Sequence, residues 1–181
     1  MNSFRLNTYL PYLLLLLLLQ LAFSTYGSCF SGDKIMPQLA YDSFNKNYLS
    51  VYLSDNGTNY DIYGELIKAD GTSLGGAFQI AVNGPPVPPA VAYDSINNRH
   101  LVIWGDSATN ALVGRLVGPG GALIGFPVDL TTATSVNIFV APALVFDSDA
   151  FNFLVVWQNV TTLDIYGQVI NNTVDLFTDL A

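Results

Sequence analysis

At 181 residues, 51% hydrophobic and 13% aromatic, the chain is long enough for one domain and apolar enough to bury a core. Only 11% of residues are charged and the net charge is −8. That balance argues against nucleic acid, whose phosphates need clustered Lys and Arg, and against anionic lipid headgroups. Low charge with abundant Asn, Thr, Ser and Gly suits a turn-rich β protein outside the cell.

The chain opens on a leader. Residues 1–28 read as a signal peptide: Arg5 is the positive start, Leu13 to Leu19 is an unbroken leucine run, and a polar stretch from Ser24 to Ser28 follows. The apolar run falls short of the roughly twenty residues needed to span a bilayer. An uncleaved N-terminal anchor is the alternative. Cys29 is the only cysteine, which excludes an intrachain disulfide. Its place after Gly27 and Ser28 resembles a bacterial lipoprotein cleavage site and makes it a lipidation candidate. Tyr26 departs from that motif, and ordinary cleavage after Ser24 or Gly27 is the preferred reading. The expected location is secreted or at the cell surface, with membrane contact only through the leader or a lipidated Cys29.

Residues 29–181 then form one β-repeat domain in three copies, 35–84, 85–133 and 134–181. The copies begin Pro37-Gln38-Leu39-Ala40-Tyr41-Asp42-Ser43, Pro89-Ala90-Val91-Ala92-Tyr93-Asp94-Ser95 and Pro142-Ala143-Leu144-Val145-Phe146-Asp147-Ser148. An apolar run closing on an aromatic follows each: Tyr48 to Tyr52, His100 to Trp104 and Phe153 to Trp157. Next come Asp61-Ile62-Tyr63-Gly64, Ala111-Leu112-Val113-Gly114 and Asp164-Ile165-Tyr166-Gly167. Copies one and two reach the turn glycines Gly71 and Gly121 and end in Phe78-Gln79-Ile80 and Val128-Asp129-Leu130. Agreement at fixed offsets is the mark of a repeat architecture.

Each copy predicts four short strands. The Asp-Ser cluster is a turn in which the Asp carboxylate accepts from nearby backbone N–H groups. The second strand is apolar on both faces and is expected between layers. The fourth is expected to be shorter, more polar and at the sheet edge. Phe177 to Leu180 is the expected fourth strand of copy three. No helical period runs through the domain. Four-stranded units of this length that cover one another's faces are propeller blades. The expected fold is therefore all-β, three four-stranded antiparallel propeller-like blades, with a β-sandwich as the alternative.

The repeat resembles that of exported bacterial β-propeller-type proteins, whose consensus runs approximately Pro-x-Val-Ala-Tyr-Asp, Tyr-Leu-Val-Val-Trp, then Asp-Ile-Tyr-Gly-Gln. Pro142 to Gln168 and Pro37 to Ile80 carry the likeness. It implies a propeller-type fold and a surface or secreted location, and no specific activity. Closed propellers need roughly four to eight blades, so a three-copy chain implies self-association into a ring, a fragment of a longer protein, or an open array.

Candidate chemistry is sparse. His100 is the only histidine and shares its slot with Tyr48 and Phe153, an aromatic packing position rather than a triad member. Glu65 is the only glutamate, with Arg115 and Gln168 as equivalents; a secreted carbohydrate-active hydrolase pairing it with an Asp is the enzymatic alternative, and a solvated Glu65 the plainer one. Asp42, Asp94 and Asp147 recur in every copy, which suits a turn. The loop Asp55 to Asp61 spaces oxygen ligands at Asp55, Asn59 and Asp61, a weak calcium candidate set against a plain polar turn. Asn56, Asn159 and Asn171 begin glycosylation sequons. The leading expectation is a non-catalytic binding or surface-scaffold module with a protein or glycan ligand, no catalytic residues and no cofactor.

Overall fold

The computed structural model describes residues 33–131 and 135–171. The leader with Cys29, and the Phe177 to Leu180 segment, lie outside the described residues. Among the described residues, eleven strands form three antiparallel sheets. The first holds β1 (Lys34–Asp42), β2 (Asn47–Asp55), β3 (Tyr60–Lys68) and β4 (Ser73–Gly84). The second holds β5 (Ala90–Asp94), β6 (Arg99–Gly105), β7 (Leu112–Val117) and β8 (Leu123–Asp129). The third holds β9 (Ala143–Asp147), β10 (Asn152–Gln158) and β11 (Ile165–Asn171). Strand order is sequential in every sheet, so each copy is an antiparallel meander. The one helical segment among the described residues is a single 3₁₀ turn at Pro119–Gly121.

The registers repeat. Tyr41 faces Tyr48, Tyr93 faces His100 and Phe146 faces Phe153 across the first strand pair. Their rings tilt alike, with centroids 5.0, 5.0 and 4.9 Å apart. The second aromatic pair recurs as well: Tyr52 stacks on Tyr63 and Trp157 on Tyr166.

Side chains alternate along a strand, so each sheet has two faces to cover. The sheets cover them by stacking in chain order, with β5 beside both β1 and β9. Leu49, Val51 and Ile62 of the first sheet pack against Val102, Trp104 and Val113 of the second. The opposite face of the second sheet, Leu101, Ile103 and Leu112, packs against Phe153, Val155 and Trp157 of the third. Hence β6 is buried along its whole length, whereas β10 alternates between buried and accessible positions. Segment 135–140 ties the second and third sheets together: Val136 N–H donates to Asn110 C=O and Asn137 N–H to Gln158 C=O.

One expectation is corrected. The fourth strand is an edge, but it is not short: β4 is the longest strand at 12 residues. Gly75 and Gly76, at φ 103° and 91°, let it bulge, and its register against β3 shifts three times.

Candidate functional site

Each candidate acid or base belongs to a slot that every copy fills. Asp42 Oδ1 accepts from Phe44 N–H and Asn45 N–H at 2.9 and 2.8 Å. Asp94 Oδ1 accepts from Ile96 and Asn97, and Asp147 Oδ1 from Asp149 and Ala150, in the same way. These carboxylates cap the turn between the first and second strands. At Asp42, burial raises the pKa, but the Asn45 and Phe44 donors outweigh it and the group sits below the ordinary value. Asp94 also holds Arg99 Nε at 3.2 Å inside the protein.

His100 is 2% exposed and tilted against Tyr93. Neither ring nitrogen has a hydrogen-bond partner of good geometry. Burial pushes its pKa down to about 4, against a smaller opposing pull from the Asp42 charge. Tyr93, half-buried beside Asp42, is pushed up to about 12 by desolvation, with the Asp42 charge adding to it. A neutral, enclosed imidazole packed as an aromatic ring matches the tyrosine and phenylalanine of the other copies.

Glu65 departs from the solvated side chain expected of it. It is 3% exposed, on the face of β3 away from the second sheet, with Lys34 Nζ 3.8 Å from its carboxylate. Lys34 also lies over the Tyr52 ring, 4.9 Å from its centroid. The equivalents of Glu65 do something different. Arg115 reaches back to the first sheet and donates to Ile80 C=O at 2.8 Å. Gln168 reaches back to the end of the second repeat and donates to Leu130 C=O at 3.1 Å. Ile80 and Leu130 hold the same place in their repeats, so one polar clamp is built twice.

The loop Asp55 to Asp61 is organised by N–H donors. Asp55 Oδ1 accepts from Gly57 N–H. Asp61 Oδ1 accepts from Asn56 Nδ2 and Asn83 N–H, and its Oδ2 from Gln79 Nε2. Asn59 Nδ2 donates to Asn83 Oδ1. Asp61 thus ties the loop to β4. Among the described residues no group of three His, Cys, Asp or Glu side chains converges. The sequon residues Asn56 and Asn159 also cap turns, each accepting from two backbone N–H groups.

Among the described residues, two concave features lie at the seams between sheets. The first is a cleft of ≈470 Å³ between β4 and the second sheet, lined by Gln79, Asn83, Trp104, Asp106, Ser107 and Arg115 among others. The second, ≈300 Å³, is lined by Asp129, Leu130, Gln168 and Asn171 among others. Each contains the clamp side chain of its repeat. Arg115 is half-buried, and burial pulls its pKa down, while its Nε and Nη2 hold Gly125 C=O.

The seams are not apparent from residue counts. Their signal in the sequence is the polar slot of Glu65, Arg115 and Gln168, which follows the glycine of each third strand. No protein-family model matches the chain, and no curated protein matches it.

Proposed function

We propose that the chain is an exported, non-catalytic β-propeller-type module, each sheet one blade, that binds a protein or glycan or serves as a surface scaffold. One observation carries this reading. The residues with catalytic potential are engaged by the frame: three aspartates cap equivalent turns, His100 fills an aromatic slot, and Glu65 holds Lys34. Gln79, Asn83 and Asp106 also bond to the frame, and they line the ≈470 Å³ inter-repeat cleft. A mostly apolar cleft with a few convergent polar groups is a binding geometry. Sequential meanders whose first strands lie side by side and whose faces cover one another support blades over a sandwich. The leader supports export.

The test is a screen of the purified chain against defined glycans and peptides, repeated with Ser107→Trp. Ser107 is exposed at the cleft, so the substitution fills it without disturbing the core. Binding that Ser107→Trp abolishes is the expected result. Binding indifferent to that substitution rules out the cleft. Turnover of any glycan bound overturns the non-catalytic reading.

A further inference from the structure

The polar side chains of the first seam spend only part of their bonding capacity on the frame. Gln79 Nε2 donates to Asp61 Oδ2 at 3.1 Å, which leaves its Oε1 as an acceptor. Asn83 Oδ1 accepts from Asn59 Nδ2 at 3.1 Å, which leaves its Nδ2 as a donor. These frame bonds fix both amides, so the remaining atoms are held in place before a ligand arrives. Ser107 is exposed at the cleft, and its hydroxyl both donates and accepts. Asp106 accepts from Ala108 N–H and Thr109 Oγ1 and keeps further lone pairs. Arg115 gives Nε, Nη1 and Nη2 to the Ile80 and Gly125 carbonyls, and its five N–H groups leave donors beyond those.

Charge and backbone together select the ligand. Asp106 and Arg115 are the charged side chains of the described lining, and they cancel. The cleft therefore offers a charged ligand no net attraction. An extended peptide would need unpaired backbone groups along a sheet edge. On the β4 wall, Ile80 C=O is already taken by Arg115. On the β8 wall, Gly125 C=O is held by the same guanidinium, and Pro127 has no N–H to give. Recognition falls instead to side chains that mix donors with acceptors. A hydroxyl is the ligand group that answers both. Val82, 58% exposed, and Pro127 add apolar surface for the C–H face of a sugar ring. The second seam lacks this set. Asp129 is the one charged side chain in its described lining, and Gln168 has turned its amide N–H to Leu130 C=O.

We propose that the first-seam cleft takes a neutral saccharide, held by hydroxyl hydrogen bonds to Gln79, Asn83, Ser107 and Arg115. This rests on the binding-module reading above and narrows it from protein or glycan to an uncharged glycan.

The experiment screens the purified chain against neutral oligosaccharides, uronate-bearing and sulfated oligosaccharides, and extended peptides, with affinities measured by calorimetry. Binding of neutral saccharides is expected, with the same affinity at about 0.1 M and about 1 M salt, because no ion pair contributes. Ser107→Ala and Gln79→Leu are each expected to weaken it about fivefold, the size of one lost hydrogen bond. Ser107 is an exposed turn residue, so Ser107→Ala should unfold at the wild-type temperature. Retention of charged saccharides or of peptides alone overturns the neutral-saccharide assignment and leaves the binding module standing. Saccharide binding that neither variant weakens overturns the site. No retention of any probe at about 1 mM, where even weak sites register, brings down the binding reading itself and this inference with it.

Discussion

The second and third repeats share a meander, a register and a capped turn, and differ in how many neighbours they have. The second sheet is covered on both faces; the third is covered on one. Leu101 and Leu154 make the point. They occupy one slot, yet Leu101 is fully buried and Leu154 is exposed. Asp94 and Asp147 differ likewise: both cap their turns, but only Asp94 is enclosed, with Arg99 beside it. The difference teaches that a repeat's slots specify its shape, while its place in the stack decides what each slot contributes to stability. Repeat proteins behave as sums of unit and neighbour terms for this reason.

The sharpest way to break the comparison is truncation at the shared slot. Leu101→Ala removes a fully buried side chain and should cost about 2–5 kcal/mol in urea unfolding. Leu154→Ala should cost under about 1 kcal/mol in the single chain, because an exposed leucine loses little. Equal costs would mean that the third face is covered in solution, and a Leu154→Ala penalty that grows with protein concentration would assign the cover to a second copy.

Next in size is a pH effect confined to the second repeat. The His100 pKa falls from 6.5 to about 4 on folding, with burial the main cause. The unfolded chain therefore takes up the proton first. The stability associated with neutral His100 is complete above pH 6.5 and is lost as pH falls through 4, by about 3 kcal/mol at 1.4 kcal/mol per unit. The carboxyl that faces it, Asp42, is held below its ordinary value and contributes only at still lower pH. His100→Phe borrows the residue of the third repeat. It should match wild type in stability at pH 7 and gain progressively over it towards pH 4. Parallel pH curves for the two proteins would show that the ring is not neutral inside.

Much of this frame was legible in the sequence, and the reasons are physical. Asp42, Asp94 and Asp147 announced turns because an Asx cap needs one residue type at one offset. His100 announced packing because its equivalents are aromatic. What stayed hidden depends on partners far along the chain. Glu65 looked solvated because a lone acid on a strand usually is; its burial with Lys34 depends on where β1 brings that lysine. The length of β4 was hidden because Gly75 and Gly76 interrupt its side-chain pattern, and only the register against β3 shows that the strand continues through a bulge. The seams were hidden because a clamp from Arg115 to Ile80 C=O joins residues 35 apart through a backbone atom that no side-chain pattern encodes. The calcium candidates Asp55, Asn59 and Asp61 share a loop as expected, but Asp61 is turned to the N–H donors of β4.

A smaller effect sits on the third strand. A Cβ on Gly114 would lie 2.6 Å from Leu130 Cδ1, and one on Gly167 would lie 3.2 Å from Val156 Cγ1. Gly114→Ala forces Leu130 out of its place and should cost about 1–3 kcal/mol, the usual range for overpacking. Gly167→Ala needs only a slight shift of a valine on a sheet with one free face. Its cost should be well below that of Gly114→Ala in thermal or urea unfolding.

The smallest effect tests the clamp and, through it, the reading of Glu65. Gln168→Leu removes one neutral hydrogen bond to Leu130 C=O and should cost about 1 kcal/mol. Gln168→Glu is more telling. It gives the third repeat the acid of the first, but the position equivalent to Lys34 is Phe139, so no ammonium stands beside it. A carboxylate facing a carbonyl oxygen repels it, so Gln168→Glu should be worse than Gln168→Leu at pH 7. It should recover as pH drops through about 4, where the protonated acid regains a donor. Recovery at low pH would establish that this slot requires a donor wherever the carbonyl of a preceding repeat faces it. A Gln168→Glu variant no worse than Gln168→Leu at any pH would reduce the clamp to incidental contact and leave the seam to its apolar side chains.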